Sequence, residues 1–148
     1  FPLIYARLLR SLVIARLALE QSPCITPALL AEAEAHARFA IEVLGISAFV
    51  RGYAETVLAS LAIVAGDAAR ANRHSESAFA ALCDLVSLAD HTLAVSLLVL
   101  ASGHPIEDGA ARIARARARL ARTGPYAVSR PLLERALLAL DARTHEGP

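Results

Sequence analysis

The chain contains no lysine: all 15 of its basic residues are arginine. That excludes a phosphate-cradling GxxxxGK[ST] loop, since the motif's lysine has no candidate here. Aromatic residues make up only 5% of the chain, which argues against sheet, because strands draw on aromatic and β-branched side chains. Cysteine is scarce. Cys24 and Cys83 stand far apart in no CxxC or Cys/His spacing. Each lies beside an apolar run, so both are expected as buried free thiols, not as a disulfide or a zinc site. A cytoplasmic location follows. The longest apolar runs, 57–65 and 93–101, reach about half of the ~20 residues that a membrane span needs. Arg7, Arg10 and Arg16 break the first apolar stretch, which excludes a signal-peptide core. With Phe1 at its start, the chain reads as a trimmed piece of something larger. A net charge of +1 provides no global field for nucleic acid or an acidic partner.

What is abundant is alanine, 33 of 148 residues, within an apolar fraction of 56%. The usual fraction is about 45–50%, and alanine has the best helix propensity. An all-α fold follows, in one domain long enough to bury a single core. Residues 53–85 organise it. Val57, Leu58, Leu61, Ala62, Ile63 and Val64 belong to one helix, and Ala68, Ala71, Ser75, Ala78, Phe79 and Leu82 to the next. Gly66 suits the left-handed residue that ends the first, and Asp67 the cap of the second. Small residues at 71 and 78, one above the other at helical spacing, allow the two backbones to approach closely.

The same logic divides the whole chain. Helices are predicted over about 2–21, 27–44, 50–65, 67–86, 88–102, 105–122 and 130–142. Thr26-Pro27, Ser87 with Asp90, Pro105 with Glu107, and Ser129 with Pro131 supply starts, while Gly45, Gly66 and Gly103 supply stops. Residues 144–148 are expected to fray. Hairpins over about 2–45, 50–86 and 88–122, with a closing helix over about 130–142, give seven antiparallel helices. A closed bundle and an open α-solenoid both satisfy that succession. The register favours the solenoid: Ala33, Ala71 and Gly109 are 38 residues apart, as are Ala40, Ala78 and Ala116, and Leu44, Leu82 and Leu120. Such a period belongs to stacked helical hairpins in the tetratricopeptide range.

LASLAIVAGDAARANRHSESAFAAL, within this unit, resembles the degenerate tetratricopeptide repeats of large actinobacterial ATP-binding transcription regulators, LuxR-type and similar to the maltotriose-responsive activators. Ala59, Ala71 and Ala78 match that pattern's small residues, and Gly66-Asp67 its turn. Ser75 stands where the pattern has a large aromatic, with Phe79 four residues on. ARIARARARLARTGPYAVSRPLLERALLAL resembles the last repeat and closing helix of such regulators. The resemblance covers most of 50–142. It implies the repeat domain alone, without the family's ATPase or a helix-turn-helix, and that domain senses inducers or partner proteins.

Stacking predicts a concave groove lined by the odd-numbered helices: Tyr53, Thr56, Ser60 and Ile63 from the third, and Leu88, His91, Val95 and Leu98 from the fifth. An apolar groove with a few hydrogen-bonding groups suits an amphipathic partner helix or a small hydrophobic inducer. The first or seventh helix folding in to fill it is the bland alternative. A second candidate surface is a basic stripe on the sixth helix, Arg112, Arg115, Arg119 and Arg122, opposite Ile113, Ala116 and Leu120. Without interleaved aromatics it reads more simply as a solvated face. His36, His74, His91, His104 and His145 form no ligand spacing, His74 and Glu76 diverge on their helix, and Glu32 and Glu34 read as solvated.

No catalytic set, metal site or cofactor is expected, and neither a membrane nor direct nucleic-acid contact. The leading expectation is a non-catalytic interaction or sensor domain, the regulatory part of a bacterial transcription or signalling regulator. It binds a protein segment or a small-molecule inducer in its groove. The alternatives are a small hydrophobic-ligand-binding helical protein and an enzyme-associated helical scaffold. The high apolar fraction also favours burial beyond the chain, by self-association or against further domains.

Overall fold

The computed structural model of the protein describes residues 2–81 and 86–145, apart from the side chains of residues 86, 87 and 145. Seven helices follow one another: α1 (Pro2–Leu19), α2 (Pro27–Leu44), α3 (Ala48–Val64), α4 (Ala68–Ala81), α5 (Val86–Ala101), α6 (Gly109–Arg122) and α7 (Arg130–His145). Among the described residues there is no strand. The fold is all-α.

Local chemistry sets most boundaries. The Thr26 hydroxyl accepts the Leu29 N–H at 3.3 Å, with Pro27 opening α2. Gly66 takes a left-handed φ of +80°, and the Asp67 N–H returns to the Ala62 carbonyl at 2.9 Å, the six-to-one bond that closes a helix around such a glycine. The Asp67 carboxylate then accepts the Arg70 N–H at 3.0 Å and caps α4.

Four boundaries differ from expectation. Ser47 caps α3 through the Val50 N–H at 3.4 Å, so that helix starts at Ala48. Asp108 holds φ at +50°, which no helix interior tolerates, so α6 begins at Gly109 and not at Pro105. α5 begins at Val86, so Ser87 lies inside it and does not precede it. The last helix runs to His145, past the expected stop near Ala142. Its end is held by Arg143, whose guanidinium donates to the Leu100 and Ala101 carbonyls at 3.3 Å each, and by the Thr144 hydroxyl donating to Leu140. Cys24 lies in the α1–α2 loop and is exposed, contrary to the expected burial. The loop turns through left-handed Gln21 and carries the thiol outward. Cys83 and Leu82 lie outside the described residues.

Each helix packs on the next, and the odd-numbered helices also pack in succession, α1 on α3, α3 on α5 and α5 on α7. The α3–α4 contact is the most extensive, because α4 presents only Ala71, Ser75 and Ala78 as fully buried side chains. The 38-residue columns mark the inward face of the even helices: Ala33, Ala71, Ala40, Ala78 and Ala116 are all buried, with Gly109, Leu44 and Leu120 half-buried. Arginines bridge those helices from outside. Arg70 reaches Glu34 at 2.7 Å, and Arg112 grips Glu76 at 2.6 and 3.0 Å. Arg112 also lies over the Phe79 ring, 4.4 Å from its centroid. Glu32 is paired too, with Arg10, and Glu34 with Arg38. The bonds from Arg38 and Arg70 hold the Glu34 carboxyl below its ordinary pKa. Neither carboxylate is simply solvated, because α1 and α4 bring arginines to them.

Among the described residues the core has two large clusters and two small ones, Ala62, Ala71 and Val99 in one and Ala78 and Leu88 in the other. Leu8, Ala15, Ala37, Ala40, Val50 and Val57 join α1, α2 and α3. Leu93, Val95, Leu97, Leu132, Leu133 and Ala136 join α5 and α7, with Leu19 and Ala59 reaching in from α1 and α3.

The sequence predicts that Gly66→Val costs more than Gly45→Val, and the backbone reverses the order. A Cβ on Gly66 meets nothing within 4 Å, so it incurs only the left-handed penalty. A Cβ on Gly45 would lie 2.2 Å from the Ile41 carbonyl oxygen. Chemical denaturation should therefore show a loss of about 1 kcal/mol for Gly66→Ala, less for Gly66→Asn, and a larger loss for Gly45→Ala. A milder effect at Gly45 than at Gly66 would contradict this reading of the turns.

Candidate functional site

The buried contact between α3 and α5 is polar. Thr56 and Thr92 face each other with their hydroxyl oxygens 2.9 Å apart, and each also lies within hydrogen-bond reach of the carbonyl four residues back, Gly52 and Leu88. One hydroxyl donates to the other, and the receiving hydroxyl donates to its own carbonyl. Next along the seam, the Ser60 hydroxyl donates to the Thr56 carbonyl at 2.8 Å and stands 3.0 Å from His91 Nε2.

A serine hydroxyl has one proton. With that proton on Thr56, the Ser60–His91 bond requires Nε2–H as donor. In that arrangement His91 is the Nε2–H tautomer and Nδ1 is left as an acceptor; the reverse arrangement, with Ser60 donating to Nε2, puts the ring proton on Nδ1. His91 is only 6% exposed. Burial, assisted by the nearby positive charge of Arg16, lowers its pKa from 6.5 to about 4, so the ring is neutral at physiological pH.

His91 borders a cavity of about 630 Å³. The apolar wall comes from Leu12 and Val13 of α1, Leu88 of α5, Val128 of the α6–α7 loop and Leu132 of α7. Polar groups on the lining are Arg16, Tyr53, Asp90, His91, Arg119 and Ser129. Asp90 is almost fully buried. It is gripped by the Arg119 fork, Nε at 3.1 Å from both carboxylate oxygens and Nη2 at 2.7 Å from one of them. The Ser129 hydroxyl donates to the same carboxylate at 3.3 Å. These bonds raise the Arg119 pKa further, with hydrogen bonding to Asp90 the larger cause and its charge the next.

The residues expected in one groove separate into three places. Tyr53, Leu88 and His91 share this cavity. Thr56, Ser60 and Val95 are fully buried, the first two in the α3–α5 seam and Val95 in the core. Ile63 and Leu98 line a second cavity of about 330 Å³ near the C-terminal end of α1 and the middle of α7, with Leu19, Arg135 and Ala139. The core around Leu19, Val95, Leu132 and Ala136 occupies the space between the cavities. Residues of both terminal helices pack with α3 and α5 and line both cavities.

The arginine stripe also divides. Ala116 faces the core, and Arg112 and Arg119 flank it at four and three residues, so both turn inward onto Glu76 and Asp90. Arg115 and Arg122 remain exposed. Arg119 borders the same cavity as Tyr53 and His91, which joins one candidate surface to the other. His74 is partnered as well, Nδ1 2.5 Å from Glu55 of α3. Among the described residues, no group of three or more His, Cys, Asp or Glu is arranged to hold a metal. No helix among them is long and apolar enough to cross a membrane.

Sequence reasoning missed Arg16, Asp90 and the 128–129 loop. Arg16 carried a signal, as a charge inside the apolar side of α1, and Asp90 one as an acid inside an apolar helix.

The neutral, buried imidazole has a consequence for acid stability. The folded protein resists protonating His91 until about pH 4, while the unfolded chain takes the proton near 6.5. Between those values the unfolded state binds more protons, so stability falls as pH drops and is flat above the window. The loss attributable to His91 is on the order of 3 kcal/mol. Denaturation at stepped pH should show it in the wild type and not in His91→Gln. An equal fall in both would contradict the assignment.

No family model matches the chain, and neither a curated protein nor a solved structure matches it.

Proposed function

We propose that this chain is a non-catalytic sensor module of stacked tetratricopeptide-like hairpins, whose ligand is a small molecule held in the cavity bordered by α1, α3, α5 and α7. Stacking is supported by the succession of contacts among the odd-numbered helices and by the buried columns at 38-residue spacing. The resemblance to repeat domains of large ATP-binding regulators would make it the regulatory part of a bacterial transcription or signalling regulator.

The observation that carries the reading is the cavity itself. Small-molecule sites occupy about 300–1,000 Å³, with mostly apolar walls and a few convergent polar groups, and 630 Å³ with this lining fits that range. A partner helix fits poorly. Two turns of helix alone fill roughly 850 Å³ for a ~10 Å diameter. A small inducer is therefore favoured over a helical segment.

A second reading rests on a different surface. Leu3, Phe39, Val43 and Ile46 are exposed, Ile46 at 98%. Large apolar side chains so exposed favour packing of α1 and α2 against a further domain or another copy. That contact is compatible with a ligand in the cavity.

Nile red, a neutral apolar dye, tests the cavity. Val13 is on its rim and 56% exposed, so Val13→Trp should fill the space without disturbing the core. Fluorescence titration should show saturable binding to the wild type, weakened about tenfold or more by Val13→Trp, a difference of about 1.4 kcal/mol. Equal binding to both proteins would place the dye elsewhere and remove support for the pocket.

A further inference from the structure

The cavity's polar groups specify more than apolar filling. Arg119 spends Nε and Nη2 on Asp90, and its Nη1 makes no hydrogen bond among the described residues. Arg16 engages Glu20 through Nε alone, at 3.3 Å, and both its terminal nitrogens likewise make none. Asp90 is the lining's one carboxylate among the described residues, and Arg119 and Ser129 occupy it. Arg119 is paired with Asp90 and Arg16 with Glu20, so with His91 neutral the lining offers guanidinium N–H donors without a large surplus of charge. That matches a monoanion better than a phosphate dianion. A guanidinium fork is also the geometry that suits a planar carboxylate.

His91 adds a second requirement. With the Ser60 proton on the Thr56 carbonyl and the His91 Nε2–H on Ser60, Nδ1 is left to accept. A ligand group facing it must donate, and a site built around a buried acceptor discriminates against ligands that leave it unpaired.

We propose that the cavity binds a small amphipathic hydroxy-substituted monocarboxylate, its carboxylate between Arg16 and Arg119, its donor on His91 Nδ1 and its apolar body against Leu12, Leu88 and Leu132. This rests on the sensor reading above and deepens it by naming the ligand's chemistry.

The test uses four matched probes in titration calorimetry against the whole chain. Phenyllactate carries ring, hydroxyl and carboxylate. Phenylpropionate lacks the hydroxyl, phenyllactamide lacks the charge, and Nile red reports whether the pocket exists at all. Phenyllactate should bind most tightly, with about tenfold losses for the other two phenyl probes. Arg16→Gln should abolish the preference of acid over amide. His91→Gln keeps a donor for Ser60 and removes the Nδ1 acceptor, so it should abolish the preference for the hydroxyl. His91→Asn keeps an acceptor near Nδ1 and should retain that preference, which separates recognition from loss of fold. Thermal melting and Nile red binding check each variant.

Equal binding of acid and amide, or an unchanged preference in Arg16→Gln, would overturn the anion assignment. Equal binding of phenyllactate and phenylpropionate would overturn the role of His91. Nile red binding with no phenyl probe bound would overturn the ligand class while leaving the pocket standing. Failure of Nile red as well would remove the pocket and this inference together.

Discussion

The polar seam between α3 and α5 is the constraint on which the site depends. Thr56, Ser60, Thr92 and His91 are all buried, where an unpaired polar group costs about 1–3 kcal/mol. Their side chains therefore have to satisfy one another and the carbonyls one turn back. That fixes the lateral register of the two helices, because sliding either by one residue would separate Thr56 from Thr92 and Ser60 from His91 together. It also limits where each proton can go, and with Ser60 donating to the Thr56 carbonyl the seam ends with His91 Nδ1 as an acceptor beside the cavity.

Around this seam the fold uses two kinds of contact. Inside, small side chains on the even helices let backbones approach, with Ala71, Ser75 and Ala78 against α3 as the clearest instance. Outside, long arginine arms cross between even helices whose backbones stand farther apart, Arg70 to Glu34 and Arg112 to Glu76. Such part-exposed pairs contribute little each, about 0–1 kcal/mol. Their effect is orientation more than stability. Arg119 belongs to the same pattern, but its partner Asp90 is nearly buried and borders the cavity, so there the bridge also shapes a binding surface.

The helices were legible in the sequence because their ends are written locally. Thr26, Gly66 and Asp67 make their expected hydrogen bonds or dihedrals within a few residues. The alanine columns were legible because a face buried against a neighbouring helix repeats with the hairpin. The site was legible only in part. Helical spacing puts Tyr53, Thr56, Ser60 and Ile63 toward one side of α3, but whether that side meets solvent, α5, α1 or α7 depends on how far the terminal helices fold in. That is a property of the whole chain, and it buried Thr56, Ser60 and Val95 while leaving Tyr53, Leu88 and His91 on the cavity. The arginine stripe failed for a related reason. Spacing identified a common face, while Ala116, small and central, let that face's edges turn onto Glu76 and Asp90.

The central claim is that the seam presents a neutral histidine with a bare Nδ1 to a ligand cavity. Long-range proton–nitrogen NMR correlation of the imidazole rings tests this directly, since it reports tautomer, charge and response to ligand for each histidine. The account predicts that His91 is the Nε2–H tautomer, stays neutral down to about pH 4, and shifts at Nδ1 when phenyllactate is added. An Nδ1–H tautomer, titration near the ordinary 6.5, or an Nδ1 resonance unmoved at saturating phenyllactate would contradict it.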